Sequence, residues 1–533
     1  MGGAVLITAG AYVGAELAAE FGRLPPSFLP VGNRRLFVHQ HDQLKGGFDR
    51  ILMSLPADFE PGAHDRALLE ALGIELIFVA RGLDLSSSIL AAIAEAGLEG
   101  GPLAILHGDT LIFEIDYGVP DSVSAANTSE SYQWAGGEVR EGRLVRVIDV
   151  LPGETHDGPV LSGYFHFADL NHLILSLAAS RGNFVTALDR YVAKRPMVPL
   201  SSNRWLDFGH IHTYYISRGS MTTERAFNAL RVERRSVLKQ SSRADRIEAE
   251  SHWYEALPAA LRIYLPQYLG RMRDGGQEGY GLEFLYLASL ADLFVFGTLN
   301  EPTWARILSS CADFLHAAGG YAAPEGAVAD PLAMYLPKTL KRLEEFGAAN
   351  GLDLDRPWRI NGVETLGLRQ IAQESAERIA PPTAQHLTVI HGDPCFSNIL
   401  YDFRSHSVRL IDPRGQDAEG RPTIWGDNRY DLAKLHHSVI GLYDMILAGY
   451  CAVEDEGEHA IRFTVPDTAG IAAAQAAFER VLLAPFAADR QSIEAISLHL
   501  FLSMLPLHSD SPERQRALLA NALRLYVAQK GAR

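Results

Sequence analysis

Short apolar runs alternate with stretches of helical period through the first 200 residues. Gly3–Thr8 reads as a buried strand, followed by a Gly-containing turn and a helical stretch through Phe21. Arg50–Ser54, Glu75–Val79 and Leu103–Leu106 are further strand candidates, separated by helix-like segments such as Ser86–Ala96. This alternation predicts an α/β fold, a mostly parallel sheet with helices on both faces. Ligands of such sheets sit beyond the carboxyl ends of the strands, where His107-Gly108-Asp109 falls.

The pattern changes near residue 220. Ser236–Lys239 reads as a strand, and Arg243–Leu257 as a charged helix with Ile247, Trp253, Tyr254 and Leu257 on its apolar stripe. Gly281–Leu287 is strand-like. From Thr303 the text is mainly helical, broken by the strand pair Leu387–Ile390 and Val408–Ile411. Gly/Pro/Asp-rich stretches at 270–281 and 417–428 read as loops within a domain. The boundary is placed at about 222, giving domains 1–222 and 223–533, the second divided into a small lobe to about 287 and a larger helical lobe.

A chain of 533 residues exceeds one ordinary core, in keeping with two or three domains. A net charge of −16 argues against nucleic acid or an anionic membrane as the main partner, so an anionic substrate must be met by local cations or metal. Three scattered cysteines, Cys311, Cys395 and Cys451, suggest neither a disulfide framework nor a zinc site and fit a reducing cytoplasm. The N-terminus lacks the features of a signal peptide, and no uncharged apolar run of membrane-spanning length is expected.

The densest chemistry lies at 391–415, where HGDPCFSNIL precedes LIDPRG. Asp393 can accept a hydroxyl proton; Asn398, five residues on, and Asp412, fourteen further, can ligate magnesium. That combination suits phosphoryl transfer, which depends on positioning and charge neutralisation more than on covalent chemistry. A shorter copy at His107-Gly108-Asp109 has Glu114 where the amide should be and no Ile-Asp at the expected distance. It is therefore not a second loop of the same kind.

HGDPCFSNIL, LIDPRG and YDLAKLHHS (430–438) resemble the aminoglycoside phosphotransferase and choline kinase family, whose fold is the two-lobed protein-kinase type. The resemblance covers roughly 225–533 and implies Asp393 as catalytic base, with Asn398 and Asp412 as magnesium ligands. It implies further that Lys239 contacts the nucleotide phosphates, that Glu250 pairs with it (Glu248 being the runner-up), and that Phe284–Leu287 cradles adenine. His391 and Asp431 would brace the loop, and Cys395 would pack. No Gly-x-Gly-x-x-Gly precedes Lys239, so phosphate contacts there would fall to backbone amides or to side chains such as Ser241 and Ser242. Trp425, Asp427, Asn428 and Tyr430 are candidate acceptor-lining residues because they follow Asp412 closely.

Residues 1–222 resemble sugar-phosphate nucleotidyltransferases, a Rossmann-like family with a mixed sheet. The resemblance rests on LPVGNRRLFVHQ (29–40), ILHGDT (105–110), LSGYFHF (161–167) and WLDFGHIHTYY (205–215). It implies Asp109 and Asp207 as magnesium ligands. The family's Gly-rich loop is altered: Gly10 and Gly14 remain, Arg23 is the candidate arginine, and Pro26 stands where a lysine is expected. The pair of resemblances implies an ATP (or other nucleoside triphosphate) and magnesium-dependent kinase of a sugar or small alcohol, fused to a nucleotidyltransferase-like domain in surface-polysaccharide or lipopolysaccharide precursor synthesis. The alternative is a nucleotide-sensing scaffold whose two domains have lost catalysis. Nucleotide and small-molecule acceptor are the expected partners, and oligomeric state is left open.

Overall fold

The computed structural model describes residues 3–128, 132–154, 156–202, 204–221, 228–232, 235–274, 277–465 and 468–531. The chain divides into two compact units, Met1–Met221 and Thr222–Arg533. The boundary expected at 222–223 lies in 222–227, outside the described residues.

In the first unit, β1 (Ala4–Thr8) pairs in parallel with β2 (Arg50–Pro56) and β4 (Leu103–His107), and β2 with β3 (Ile74–Val79). Covered on both faces, β1 can be apolar without interruption; Val5, Leu6 and Ile7 are at most 1% exposed. Each such side chain contributes roughly 1.5–3 kcal/mol of burial. After β4 the chain turns into β5 (Thr110–Phe113), which leaves the main sheet. β6 (Ser122–Ala126), the hairpin β7 (Trp134–Arg140) and β8 (Arg143–Val150), β9 (Val160–Phe167) and β10 (Val198–Ser201) complete a mixed nine-stranded sheet. β9 runs antiparallel to β4, so the parallel half of the sheet meets its antiparallel half at that seam. β11 (Arg204–Asp207) pairs instead with β5, setting Asp207 opposite Thr110.

The second unit opens on an antiparallel sheet of β12 (Asn228–Val232), β13 (Ser236–Ser241), β14 (Tyr268–Asp274) and β15 (Gln277–Glu283), in the order β12-β13-β15-β14. Helix α1 (Ala244–Ala256) packs on it, burying Ile247, Trp253 and Tyr254. The stretch 270–281 is therefore mostly strand, not loop: Tyr268–Asp274 pairs antiparallel with Gln277–Glu283, and residues 275–276 lie outside the described residues. The strand expected over Gly281–Leu287 ends at Glu283, and Phe284–Leu287 runs irregularly and half-buried into the helical part.

That part contains α2 (Glu301–Gly319), α3 (Leu336–Asn350), α4 (Asn428–Val439), α5 (Arg490–Met504) and α6 (Pro512–Gly531). Leu387–Val389 and Ser407–Leu410 do not pair with each other: the first pairs with Trp425–Asp427, inside the expected loop 417–428, and the second with Ile399–Asp402. A further small sheet, Ala452–Gly457 and Ala460–Thr464 with Arg359–Ile360 and Val363–Glu364, was not expected from the sequence.

One helical stretch among the described residues, Ala469–His508, is long and apolar enough to cross a membrane, where the sequence reading expected none. It is not one continuous α-helix. A π turn at Glu479–Leu483 and a 3-10 turn at Ala484–Asp489 interrupt it, Phe486 leaves helical dihedrals, and α5 is largely buried in the unit's core.

Candidate functional site

In the second unit, Lys239 on β13 and Glu250 on α1 meet at 2.8 Å, and Lys239 Nζ also lies 3.1 Å from Asp412 Oδ1. Lys239 and Glu250 are 5% and 4% exposed, whereas Glu248 is exposed on another face of the helix. The Tyr280 hydroxyl donates to Glu250 Oε2 at 2.8 Å. Burial works against the ammonium of Lys239, but Asp412 and Glu250 outweigh it and raise its pKa, so the lysine stays charged. The loop after Asp412 is pressed against α1: a Cβ on Gly415 would come 2.3 Å from Ala249 O. Asp412 has φ +57°, a left-handed conformation that Asp and Asn tolerate better than other non-glycine residues.

Asp393 and Asn398 sit in one tight loop. Asn398 Nδ2 donates to Asp393 O at 3.0 Å, which turns Oδ1 away from that bond. The Ile411 amide donates to Asn398 O at 3.0 Å, so Asn398 and Asp412 flank the open end of the same hairpin. An amide oxygen and a half-exposed carboxylate so placed fit a hard divalent cation.

The loop is held from beneath. Asp431 on α4 accepts from the His391 amide at 2.7 Å and the Gly392 amide at 2.8 Å. Burial pushes Asp431 up to about 7 despite those two bonds. His391, fully buried and pushed down to about 4 by that burial, stays neutral and accepts the Asp393 amide at Nδ1, 3.3 Å away. Trp253 Nε1 donates to Ile390 O at 2.8 Å, joining α1 to the loop. Cys395 is buried, its thiol pushed up by burial, with Sγ 3.2 Å from Ser397 Oγ. Removing the Asp431 carboxylate leaves two buried amides without acceptors, on the order of 1–3 kcal/mol each. Asp431→Ala is therefore expected to lower the melting temperature by several degrees in a thermal melt; an unchanged melt would mean that the loop is held elsewhere.

Lys434, one turn after Tyr430 on α4, pairs with Asp393 Oδ1 at 2.9 Å. Burial opposes the charge of Asp393, yet Lys434, His391 and Arg414 hold its carboxyl down at about 2. Sequence reasoning assigned no role to Lys434 or Arg414, although both lie in quoted motifs. Their relevance depends on how α4 is rotated against the loop. Of the four suggested lining residues, only Tyr430 faces these charged groups, its hydroxyl accepting from Arg414 Nη1 at 3.3 Å. Asp427 instead holds buried Arg429 through both oxygens and accepts the Tyr335 hydroxyl. Asn428 bonds Gln385 O, and Trp425 lies in a strand against Val389. Phe284 donates its amide to Arg235 O, and Leu287 its amide to Leu285 O. Ser241 is buried and accepts from the Arg243 amide, while Ser242 is exposed; residues 233–234 of the turn before β13 lie outside the described residues.

In the first unit, β1 and β4 end in register, Thr8 opposite His107, while β2 passes Thr8 at Ser54 and runs on to Pro56. Gly108 then passes so close to Thr8 that a Cβ would lie 2.7 Å from its carbonyl oxygen. Gln40, buried on the helix Leu36–Leu44, donates toward the carbonyls of Gly108 and Thr110 at 3.1 and 2.9 Å, and Ser27 Oγ donates to Gly108 O. Gln40 closes the quoted stretch LPVGNRRLFVHQ, but nothing local revealed this role.

The β5–β11 pairing and a Phe208 amide bond to Asp109 O at 2.8 Å bring Asp207 to Asp109. A Cβ on Gly209 would come 2.6 Å from Asp109 Oδ2 and 3.4 Å from Asp207 Oδ1, so both carboxylates crowd one point. Asp207 Oδ2 is buried without a hydrogen bond, His210 Nδ1 being 3.8 Å away. Burial first, and Asp207 second, raise Asp109 to about 6. This mutually repelling pair, with Asp207 Oδ2 left without a partner, fits a divalent cation. No group of three or more His, Cys, Asp or Glu ligands occurs among the described residues, so such an ion would depend on water or phosphate oxygens for the rest of its shell.

The suggested cation Arg23 is engaged elsewhere, 3.1 Å from Asp58 and 3.8 Å from the centre of the Tyr12 ring. Gly10 is pinned by Ser88 and Val79, Gly14 precedes the helix Ala15–Phe21 in open space, and Pro26 starts a 3-10 turn. Because the folded pKa of Asp109 is raised, its contribution favours the folded state in acid and is lost as pH rises through about 6. Asp109→Asn is thus expected to raise the melting temperature of the metal-free protein at pH 7.5 and to shrink the manganese-induced rise to the share that Asn398 and Asp412 supply. A metal response equal to wild type would rule out the pair as ligands.

No protein-family model matches the sequence, and no curated protein matches it. Solved structures similar to it fall into two groups. The N-terminal region is similar to the nucleoside-diphosphate-sugar pyrophosphorylase of Vibrio cholerae RC9, at 11% identity and TM-score 0.34, covering 40% of this chain and 99% of that one. It is also similar to a UDP-glucose pyrophosphorylase complexed with UDP-glucose, at 13% identity and TM-score 0.33, covering 41% of this chain and 98% of that one. The other group includes a thermostable mutant of aminoglycoside phosphotransferase APH(4)-Ia in ternary complex with AMP-PNP and hygromycin B. Identity is 15% and TM-score 0.33, covering 58% of this chain and 93% of that one.

Proposed function

We propose that the C-terminal unit transfers the terminal phosphoryl group of ATP, with magnesium, to a hydroxyl of a small-molecule acceptor. The observation that carries this reading is the meeting of Lys239, Glu250 and Asp412 with Asn398 and Asp393 across one hairpin, although these residues span 174 positions of sequence. Lys239 would hold the nucleotide phosphates; Asn398 and Asp412 would hold magnesium, which when bound neutralises phosphate charge. Phe284–Leu287 would receive the base. Asp393 would orient the acceptor hydroxyl and take its proton. Its low pKa makes it a weak base, suited to a loose transition state in which that proton leaves late.

The N-terminal unit would bind a nucleotide or sugar phosphate through a metal at Asp109 and Asp207. The suggested cation Arg23 is held by Asp58 and the Tyr12 ring, which favours binding over rapid turnover. The two activities together suit assembly of an activated surface-polysaccharide precursor.

Magnesium–AMP-PNP is expected to raise the melting temperature of the full chain, and magnesium-ATP to release ADP once sugars or glycerol-like alcohols are added. Stabilisation by ATP with no ADP from any acceptor would favour the nucleotide-sensing scaffold.

A further inference from the structure

Around Asp393 the charge balance is opposite to that around Lys239. Lys239 is matched by two carboxylates, Glu250 and Asp412. Asp393 faces a group of cations drawn from three segments. Lys434 comes from α4, at 2.9 Å from Asp393. Arg414 comes from the loop after Asp412, its amide bonded to His391 O at 2.9 Å and its guanidinium to the Tyr430 hydroxyl. Lys338 and Arg342 come from α3, where a four-residue spacing sets them on one stripe.

Tyr335, which precedes α3, anchors this stripe. Its ring stacks on Tyr430 at 6.3 Å between centres, and its hydroxyl bonds Asp427 Oδ2 at 2.8 Å. Lys338 therefore follows Tyr335 by one turn, as Lys434 follows Tyr430 on α4. Lys338 feels Arg414, Arg342 and Lys434, with Asp393 as the opposing carboxylate, and Asp393 is already paired with Lys434. Arg342 is braced by Ser503 O at 2.9 Å, with Glu345 partly offsetting its charge. Among the described residues Lys338 has no ion-pair partner within 4 Å. An ammonium held in such a field is pushed well below its ordinary pKa, first by burial and then by the neighbouring cations, and an arriving anion would relieve it.

We infer that the acceptor carries an anionic group, a phosphate or a carboxylate, bound by Lys338, Arg414 and Lys434 beside Asp393. This rests on the phosphotransferase reading and narrows it. Neutral alcohols are poor substrates, and cationic acceptors such as choline or an aminoglycoside are repelled.

Isothermal titration of the full chain, saturated with magnesium–AMP-PNP, with inorganic phosphate tests the site directly. Phosphate is expected to bind, with Lys338→Gln and Arg414→Gln each weakening it by about tenfold or more. Lys338→Arg should retain binding, and choline should give no heat. Absence of phosphate binding, or binding unchanged in both glutamine variants at wild-type melting temperature, overturns the inference. A second arm compares kcat/KM for glycerol 3-phosphate with glycerol and for glucose 6-phosphate with glucose. The phosphorylated member is expected to be favoured, and preference for the neutral one overturns the inference. A chain that binds phosphate at Lys338 but releases no ADP with any acceptor would keep the anion site and remove the kinase reading. Turnover of neutral alcohols without phosphate binding would do the reverse.

Discussion

Asp412→Asn is expected to remove the magnesium dependence of nucleotide binding and to reduce kcat/KM by roughly 10²–10³, the cost of deleting one charged group that stabilises a transition state (~3–4 kcal/mol). The choice of asparagine follows from the backbone. Asp412 sits at φ +57°, where an alanine would add a strain of roughly 1–2 kcal/mol that has nothing to do with metal. Asparagine keeps that conformation and the shape of the side chain while removing the charge. Lys239 would then be left with Glu250 alone, still paired at 2.8 Å, so the small sheet and α1 should stay in place. Titration of magnesium against a fluorescent ATP analogue checks this; a variant retaining wild-type magnesium dependence would exclude Asp412 as a ligand.

Asp393→Asn is expected to lower turnover by about 10²–10⁴ while leaving nucleotide binding close to wild type. The complication is Lys434. Burial opposes its charge, Asp393 more than compensates, and its pKa is raised. A raised lysine pKa means that the pair stabilises the fold below the ordinary lysine pKa and loses that contribution as pH rises through the folded value. Breaking the pair leaves a largely buried ammonium unmatched, at a cost of up to about 3–5 kcal/mol if fully desolvated and less here, where water still reaches Asp393. The double variant Asp393→Asn/Lys434→Met separates the effects: its melting temperature should recover toward wild type while turnover stays low. Recovery of turnover along with stability would show that Asp393 acts through folding and not on the acceptor. Because Asp393 is held at about 2, it should also contribute no acid limb to the pH–rate profile above about pH 4.

Much of the scaffold was legible because it is written locally. The apolar run of β1 and the helical spacing of Ile247, Trp253 and Tyr254 each announce their element within a few residues. Lys239, Glu250, Asn398 and Asp412 were named together through the resemblance carried by their separate stretches of text; that Lys239 meets Glu250 and Asp412 is visible only in the folded chain. What stayed unread depends on rotation and docking between distant segments. Lys338 lies 55 residues before Asp393 on a helix with no motif of its own, and its place depends on how that helix docks, with Tyr335 stacked on Tyr430. Gln40 acts across 68 residues on Gly108, through bonds that any buried polar residue could have made elsewhere. Ala452–Gly457 forms a strand despite the run Glu454-Asp455-Glu456, because pairing with Ala460–Thr464 overrides weak strand propensity. The strand pair 268–274 and 277–283 was missed for a simpler reason: its glycines, Gly270, Gly279 and Gly281 among them, were read as marking a loop.

The central claim is that Asp393, Asn398, Asp412 and Lys239 form a working phosphotransferase site. Its most direct test is phosphorus NMR of wild-type protein and Asp393→Asn incubated with magnesium-ATP and a panel of acceptors, glycerol and glucose together with glycerol 3-phosphate and glucose 6-phosphate. The account predicts a new phosphate-ester resonance that grows one-for-one with ADP in the wild type and is almost absent in Asp393→Asn. ATP that remains intact in both, or equal product from both, would contradict it.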